Sequence, residues 1–212
     1  MNGASGSTIE QALRASARAP GRGSERSAAA GAAARLAERI AAEGLADISY
    51  GSLESPVGPL HAALSRRGLV RIAFAEEHEQ AMVEELARRL SPRIVLAPRL
   101  LDPLRRELDE YFEGRRRRFE LELDWALIGP FARRVLRRTA AIPYGSHSSY
   151  GEVAAAAGSP RGARAAGNAL GSNPIPIVIP CHRVLHAGGG LGGYGGGLQR
   201  KRFLLELEGA LD

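Results

Sequence analysis

A single cysteine, a single lysine and the want of any long apolar run set the first limits on this 212-residue chain. One thiol closes no internal disulfide and supplies no multi-thiolate metal site. No stretch of eighteen or more apolar residues occurs, so no membrane span is indicated. The first 44 residues hold Gly, Ser, Ala and scattered Arg without an uninterrupted apolar core; no secretory leader is read there, and the expected compartment is the reducing cytoplasm. Acidic residues are missing from one region in particular, with none between Glu152 and Glu206. Residues 1–125 carry 19 Arg against 19 Asp and Glu, whereas 126–212 carry 10 Arg and Lys against 4 Asp and Glu, so the whole excess of +6 falls in the second part. A positive stretch of that length suits a polyanion, nucleic acid above all; a solvated basic surface is the alternative.

The pattern along the chain is α+β followed by helix. Residues 1–44 read as a poorly ordered extension, with a short alanine-rich helix over Ser27–Glu43 carrying Leu36 and Ile40 at i, i+4. A small N-terminal α/β domain is expected over 45–125. Its strands start at Ile48 and after the Pro/Gly turn near Pro59, with a third over Leu69–Phe74. Helices are expected over Glu76–Leu90 and Pro103–Phe112, and Phe119–Trp125 alternates like a strand. Residues 126–212 form a second, mainly helical domain. One helix starts at Pro130, and Tyr150–Ala157 is a second, capped by Ser148 or Ser149 with Glu152 in its first turn. Arg161–Leu170 is a third, closed by Gly171. The last two, joined by a tight turn, read as a helix-turn-helix. A final helix over Leu198–Glu208 is expected to turn Phe203 and Leu207 inward.

Cys181 stands in Pro180-Cys-His-Arg183, after Asn173-Pro-Ile-Pro-Ile-Val-Ile179. Prolines at 174, 176 and 180 remove ladder donors, so the segment reads as extended and stiffened rather than as an interior strand. Two readings of Cys181 stay open on these residues, a buried small hydrophobe or a nucleophile. As a nucleophile it needs a base or a positive field, because a free thiol is only a few per cent ionised near neutrality. His182 is a candidate base acting through a water or a turn, and Glu208 a candidate orienting carboxylate, although a solvated glutamate is the plainer reading of the latter. Gly188–Gly197 holds eight glycines in ten. Its G-x-G-x-x-G match at Gly190, Gly192 and Gly195 is weak, having no βαβ unit around it. With Tyr194 in its middle, the loop reads better as the wall of a pocket for a planar group.

Together, Ile142-Pro-Tyr-Gly, Ser149-Tyr150-Gly, Ala163-Arg-Ala165, Asn173-Pro, Ile179-Pro-Cys-His-Arg-Val184, Gly193-Tyr194, Gly196-Gly-Leu198, Leu204-Leu205 and Glu208-Gly209 resemble the active domain of the O6-alkylguanine-DNA alkyltransferases (methylated-DNA–protein-cysteine methyltransferases) over about residues 130–209. The strands at 48–74 and the Trp125 region resemble that family's N-terminal, ribonuclease H-like domain more weakly. The resemblance implies direct, single-use repair of O6-alkylguanine, and of O4-alkylthymine, in duplex DNA. The alkyl group would move irreversibly to Cys181, with no cofactor and no metal. It implies that His182 takes the thiol proton through a water, that Glu208 orients His182 and that Tyr150 bonds the leaving guanine. Arg164, on a helix with Ala163, Gly167 and Asn168 at the DNA minor groove, would fill the space left by a flipped base. Asn173, Val184, Tyr194 and Gly195 would line the pocket of a monomeric protein. The residue after the pocket tyrosine is often serine in the family and is Gly195 here, which bears on pocket selectivity. A lesion sensor of the same fold lacks the cysteine, a helix-turn-helix regulator with this domain carries an extra cysteine-rich module, and a cysteine hydrolase needs an oxyanion site not found here.

Overall fold

The computed structural model describes residues 22–211. Helix α1 spans Arg22–Ala42, so the region expected to be largely without order is helical from Arg22 onward; residues 1–21 lie outside the described residues. Its docked residue is Ala37, while Leu36 is 58 % exposed, and Glu38 faces Arg99 at 3.6 Å.

Strands β1 (Ile48–Leu53), β2 (Leu60–Ser65) and β3 (Gly68–Phe74) form an antiparallel meander. A short strand missed by the sequence reading, β4 (Ile94–Leu96), adds in parallel to β1 and gives the order β3-β2-β1-β4. Three residues hold too little periodicity to be seen. The two-residue turn between β2 and β3 needs Gly68, whose φ is +124° and whose place a Cβ could not share with the Glu122 carbonyl. Helices α2 (Glu79–Arg89) and α3 (Asp102–Phe112) cover the sheet, burying Met82, Leu86, Leu104, Leu108 and Tyr111. The strand expected over Phe119–Trp125 is not formed. A lone bridge, Leu69 to Leu123, ties the segment to β3, and its alternating apolar residues are only half-buried against the core. The alternation is real, but β3 offers just two backbone bonds there (Leu69 N–H to Glu122, Asp124 N–H to Leu69) before its Ile72 N–H turns to Pro174 at 2.8 Å.

That last bond joins the two halves. Helix α4 (Pro130–Ala140) packs against α5 (Tyr150–Ala156) and α6 (Ala163–Gly171), which are linked by the turn 157–162. Ser149 caps α5 in a capping box: its hydroxyl accepts from Glu152 N–H at 3.2 Å and the Glu152 carboxylate accepts from Ser149 N–H at 2.7 Å. Helix α6 starts two residues later than expected, and Gly171 belongs to it rather than closing it; Ser172 is the last half-turn, with φ −100°. Helix α7 (Leu198–Leu207) buries Lys201, Leu204 and Leu205; Phe203, expected inside, is 38 % exposed. The apolar core is continuous from Ile48 to Leu204 and includes Cys181. Ser149→Ala removes one arm of the capping box and is expected to lower unfolding stability by about 1 kcal/mol, measured by urea denaturation.

Candidate active site

The cysteine segment is not extended. Ile179 N–H returns to the Ile175 carbonyl at 2.9 Å, and the turn between them is made by Ile177 at φ +72°. A buried β-branched residue in the left-handed region costs on the order of 1–3 kcal/mol and persists only where its surroundings over-determine it. Asn173, directly after α6, holds the turn. Its amide donates to the Ile179 carbonyl at 2.9 Å and to Cys181 Sγ at 3.1 Å, and its Oδ1 accepts from Ile175 N–H at 3.1 Å. Cys181–Arg183 is one turn of 3-10 helix. This turn, and not a flat strand, is what lets His182 lie next to Cys181 in sequence and still face the interior.

His182 is fully buried. Its Nε2 lies 2.9 Å from Glu208 Oε1, and its Nδ1 is buried with no partner. Glu208 caps the C-terminus of α7 and is 5 % exposed, so it is not a solvated glutamate. Its Oε1 also accepts from Tyr111 Oη at 2.6 Å and from Arg183 Nη2 at 2.9 Å, and its Oε2 from Arg183 Nε at 2.8 Å. Burial alone raises a carboxyl pKa; the donors of His182 and Arg183 overcome it and hold Glu208 at about 2. Glu208 is therefore ionised, and the proton it shares with His182 sits on Nε2, leaving the Nδ1 lone pair free. Burial lowers the His182 pKa against the pull of Glu208, so the imidazole rests neutral. Burial likewise raises the Cys181 thiol, offset in part by the Asn173 bond and the charge of Lys201. The resting pair is thiol and neutral imidazole.

Lys201 is the functional-looking residue that sequence reasoning passed over; Arg183, read as a candidate positive field beside Cys181, is spent on Glu208. Lys201 is fully buried, donates to the Val184 carbonyl at 2.6 Å and to the Gly193 carbonyl at 3.3 Å, and has no ion-pair partner among the described residues. Burial lowers its pKa to about 8, with Cys181 opposing that shift. Its being the one lysine of the chain was the only signal available. Tyr150, first residue of α5, is half-buried and spends its hydroxyl on a weak bond to Gly193 at 3.4 Å. Gly192 (φ +67°) lies so close that a Cβ would come within 2.6 Å of that hydroxyl, which explains one glycine of the loop. A cavity of about 350 Å³ reaches Cys181 from the side of β3, lined by Phe74, Asn173, Pro174, Tyr194, Gly195 and Gly196. Tyr150 does not line it. The Tyr194 ring stands edge-on to Phe74 at 6.0 Å and to His182 at 6.4 Å, its hydroxyl buried and unpartnered.

Residues 48–125 match the family model for the 6-O-methylguanine DNA methyltransferase ribonuclease-like domain, and 130–210 the model for that family's DNA binding domain. A Mycobacterium bovis methylated-DNA–protein-cysteine methyltransferase is 42% identical over 162 residues, covering 76% of this chain and 92% of its own. The chain belongs to the methylated-DNA–protein-cysteine methyltransferase family. The constitutive Bacillus subtilis methyltransferase of that name is 34% identical over 163 residues, covering 75% of this chain and 94% of its own. A crystal structure of Mycobacterium tuberculosis O6-methylguanine methyltransferase superposes with a TM-score of 0.66 at 40% identity, covering 77% of this chain and 93% of that one; a second, in complex with DNA, has the same TM-score over 76% and 93%.

In this methyltransferase-family chain α6 presents Ala163, Arg164 and Asn168 to solvent and buries Ala166, Ala169 and Leu170. Gly167 lies over the Tyr150 ring, where a Cβ would make ordinary contact at 3.8 Å. A Cβ at Gly195 would touch only the Gly171 carbonyl, also at 3.8 Å, so Gly195→Ser is expected to fold as well as the parent, read from an unchanged Tm. The lowered His182 pKa means that below the ordinary imidazole value of 6.5 the unfolded chain binds a proton that the folded chain refuses. That stability is present above about 6.5 and is lost as pH falls; in His182→Asn the fall in Tm between pH 6.5 and 5 should be smaller. Lys201→Met should shift the pH dependence of Cys181 alkylation by iodoacetamide upward, and Lys201→Arg should shift it less.

Proposed function

We propose that this protein repairs O6-alkylguanine, and O4-alkylthymine, in duplex DNA by taking the alkyl group onto Sγ of Cys181, once per molecule. What carries the reading is the free Nδ1 of a neutral histidine held by Glu208 beside the only thiol of the chain. Transfer to a thiol is displacement at an sp³ carbon and needs a thiolate aligned in a dry site. The Cys181 proton passes through a water to His182 Nδ1. The sulfur pair then forms the S–C bond while the C–O6 bond breaks, its pair leaving with guanine. The Tyr150 hydroxyl, lightly held, is turned to the leaving base and stabilises the charge; the proton released by the thiol ends on guanine. The thioether left behind lies off the thiol oxidation ladder and is not reversed.

The reacting atom is inside the stack, so the nucleotide is flipped. Helix α6 enters the minor groove by its face of Ala163, Arg164, Gly167 and Asn168, where Ala163 and the half-buried Gly167 allow close approach and Arg164 fills the vacated stack. Phosphate contacts from the basic second half supply affinity with little sequence preference. Asn173, Val184, Tyr194 and Gly195 surround the flipped base; the Val184 carbonyl keeps one lone pair for it beside the Lys201 bond. The protein acts as a monomer in the cytoplasm, and no described helix is long and apolar enough to cross a membrane.

Incubation with duplex DNA containing O6-methylguanine is expected to add one methyl group to Cys181, read from intact mass and peptide mapping. DNA binding without methyl gain would make the protein a lesion sensor instead. Arg164→Ala is expected to slow repair in duplex DNA by at least about tenfold while sparing reaction with free O6-benzylguanine; equal losses would deny it the flipping role.

A further inference from the structure

Every partner of Glu208 but one comes from the second half of the chain. His182 and Arg183 follow the cysteine directly. The exception is Tyr111, in the last turn of α3, 97 residues away in sequence, whose hydroxyl donates to Oε1 at 2.6 Å, the shortest bond the carboxylate makes. It is the same oxygen that holds His182.

We propose that Tyr111 is a positioning residue for alkyl transfer, through which the N-terminal domain sets how strongly Glu208 holds the His182 proton. This rests on the reading of Cys181 as alkyl acceptor and His182 as its base. Oε1 takes three donors, from His182, Tyr111 and Arg183, so each weakens the hold of the oxygen on the others. The Tyr111 hydroxyl is an obligate donor there. Burial, then the Glu208 charge, raises its pKa, so it stays neutral. Its ring cannot swing away: Tyr111 is fully buried, with Phe112 and Phe119 at 5.3 Å and Tyr144 edge-on at 6.1 Å. Tyr144 in turn donates to the Leu207 carbonyl, next to Glu208 in the chain, at 3.0 Å.

The other charged and titratable groups around the His182–Glu208 pair are Arg183 on the cysteine turn, Lys201 on α7, Cys181 itself, Tyr194 on the glycine loop, and Tyr144 with Arg117 over its ring at 5.7 Å. All remain when only the Tyr111 hydroxyl is removed. Without it Oε1 is a stronger acceptor, His182 keeps a proton to higher pH, and the acid limb of the alkylation rate moves up.

The rate of Cys181 alkylation by free O6-benzylguanine is measured against pH for the parent, for Tyr111→Phe and for a protein carrying 3-fluorotyrosine at 111, a stronger donor in the same packing. The acid limb should rise by about one pH unit in Tyr111→Phe and fall in the fluorotyrosine protein. A limb that stays put in both, with rates lowered equally at every pH, overturns the proposal and leaves Tyr111 a structural staple. If the phenylalanine variant does not fold, the fluorotyrosine protein alone decides. Failure of the parent itself to react with O6-methylguanine in DNA strikes the acceptor reading instead, so the two failures are told apart.

Discussion

A buried carboxylate governs this site. Glu208 sits at the C-terminal end of α7, where the helix dipole disfavours negative charge, and is shielded from water. It stays ionised because Arg183 grips both oxygens and His182 and Tyr111 share one of them. Removing one member of such a buried pair typically costs about 3–5 kcal/mol, since the remaining charge is stranded. That cost binds three separate pieces of chain (the cysteine turn, the last helix and α3 of the first domain) into one arrangement. The imidazole tautomer follows from it, and so does the location of the free nitrogen.

The thiol is placed by different means. Asn173 links the end of the exposed helix α6 to the cysteine turn with three hydrogen bonds, and the left-handed Ile177 between them is strain that these bonds hold in place. The surface expected to meet DNA and the sulfur expected to react are thus one short span of backbone apart. Burial keeps Cys181 protonated at rest, against the Asn173 bond, the Lys201 charge and the backbone N–H groups of Cys181 and His182. Held as the thiol, Cys181 is a poor nucleophile toward stray electrophiles, which matters for a protein used once.

Much of this was legible in the residues. Helices with clear 3.6 periodicity and caps, such as α4 from Pro130 and α5 after Ser149, stand close to where pattern places them. The cysteine, histidine and glutamate were legible through motif blocks. What was hidden depends on contacts distant in sequence. Glu208 reads as a surface glutamate until Arg183, His182 and Tyr111 converge on it. Lys201 reads as solvated until it is seen under the glycine loop. Phe119–Trp125 alternates like a strand, but pairing needs a free edge, and after two bonds to that segment β3 turns its Ile72 N–H to Pro174. The turn at Ile177 is invisible because a β-branched residue is the last one pattern would put at positive φ.

Glu208 holds His182 neutral, with the proton on Nε2 and the lone pair of Nδ1 free. Nitrogen NMR of the imidazole, with the protein labelled at histidine and His182 assigned by substitution, reads this directly. At neutral pH the resonances should be those of a neutral ring protonated at Nε2 and bare at Nδ1. A ring protonated at Nδ1, or an imidazolium, would contradict it.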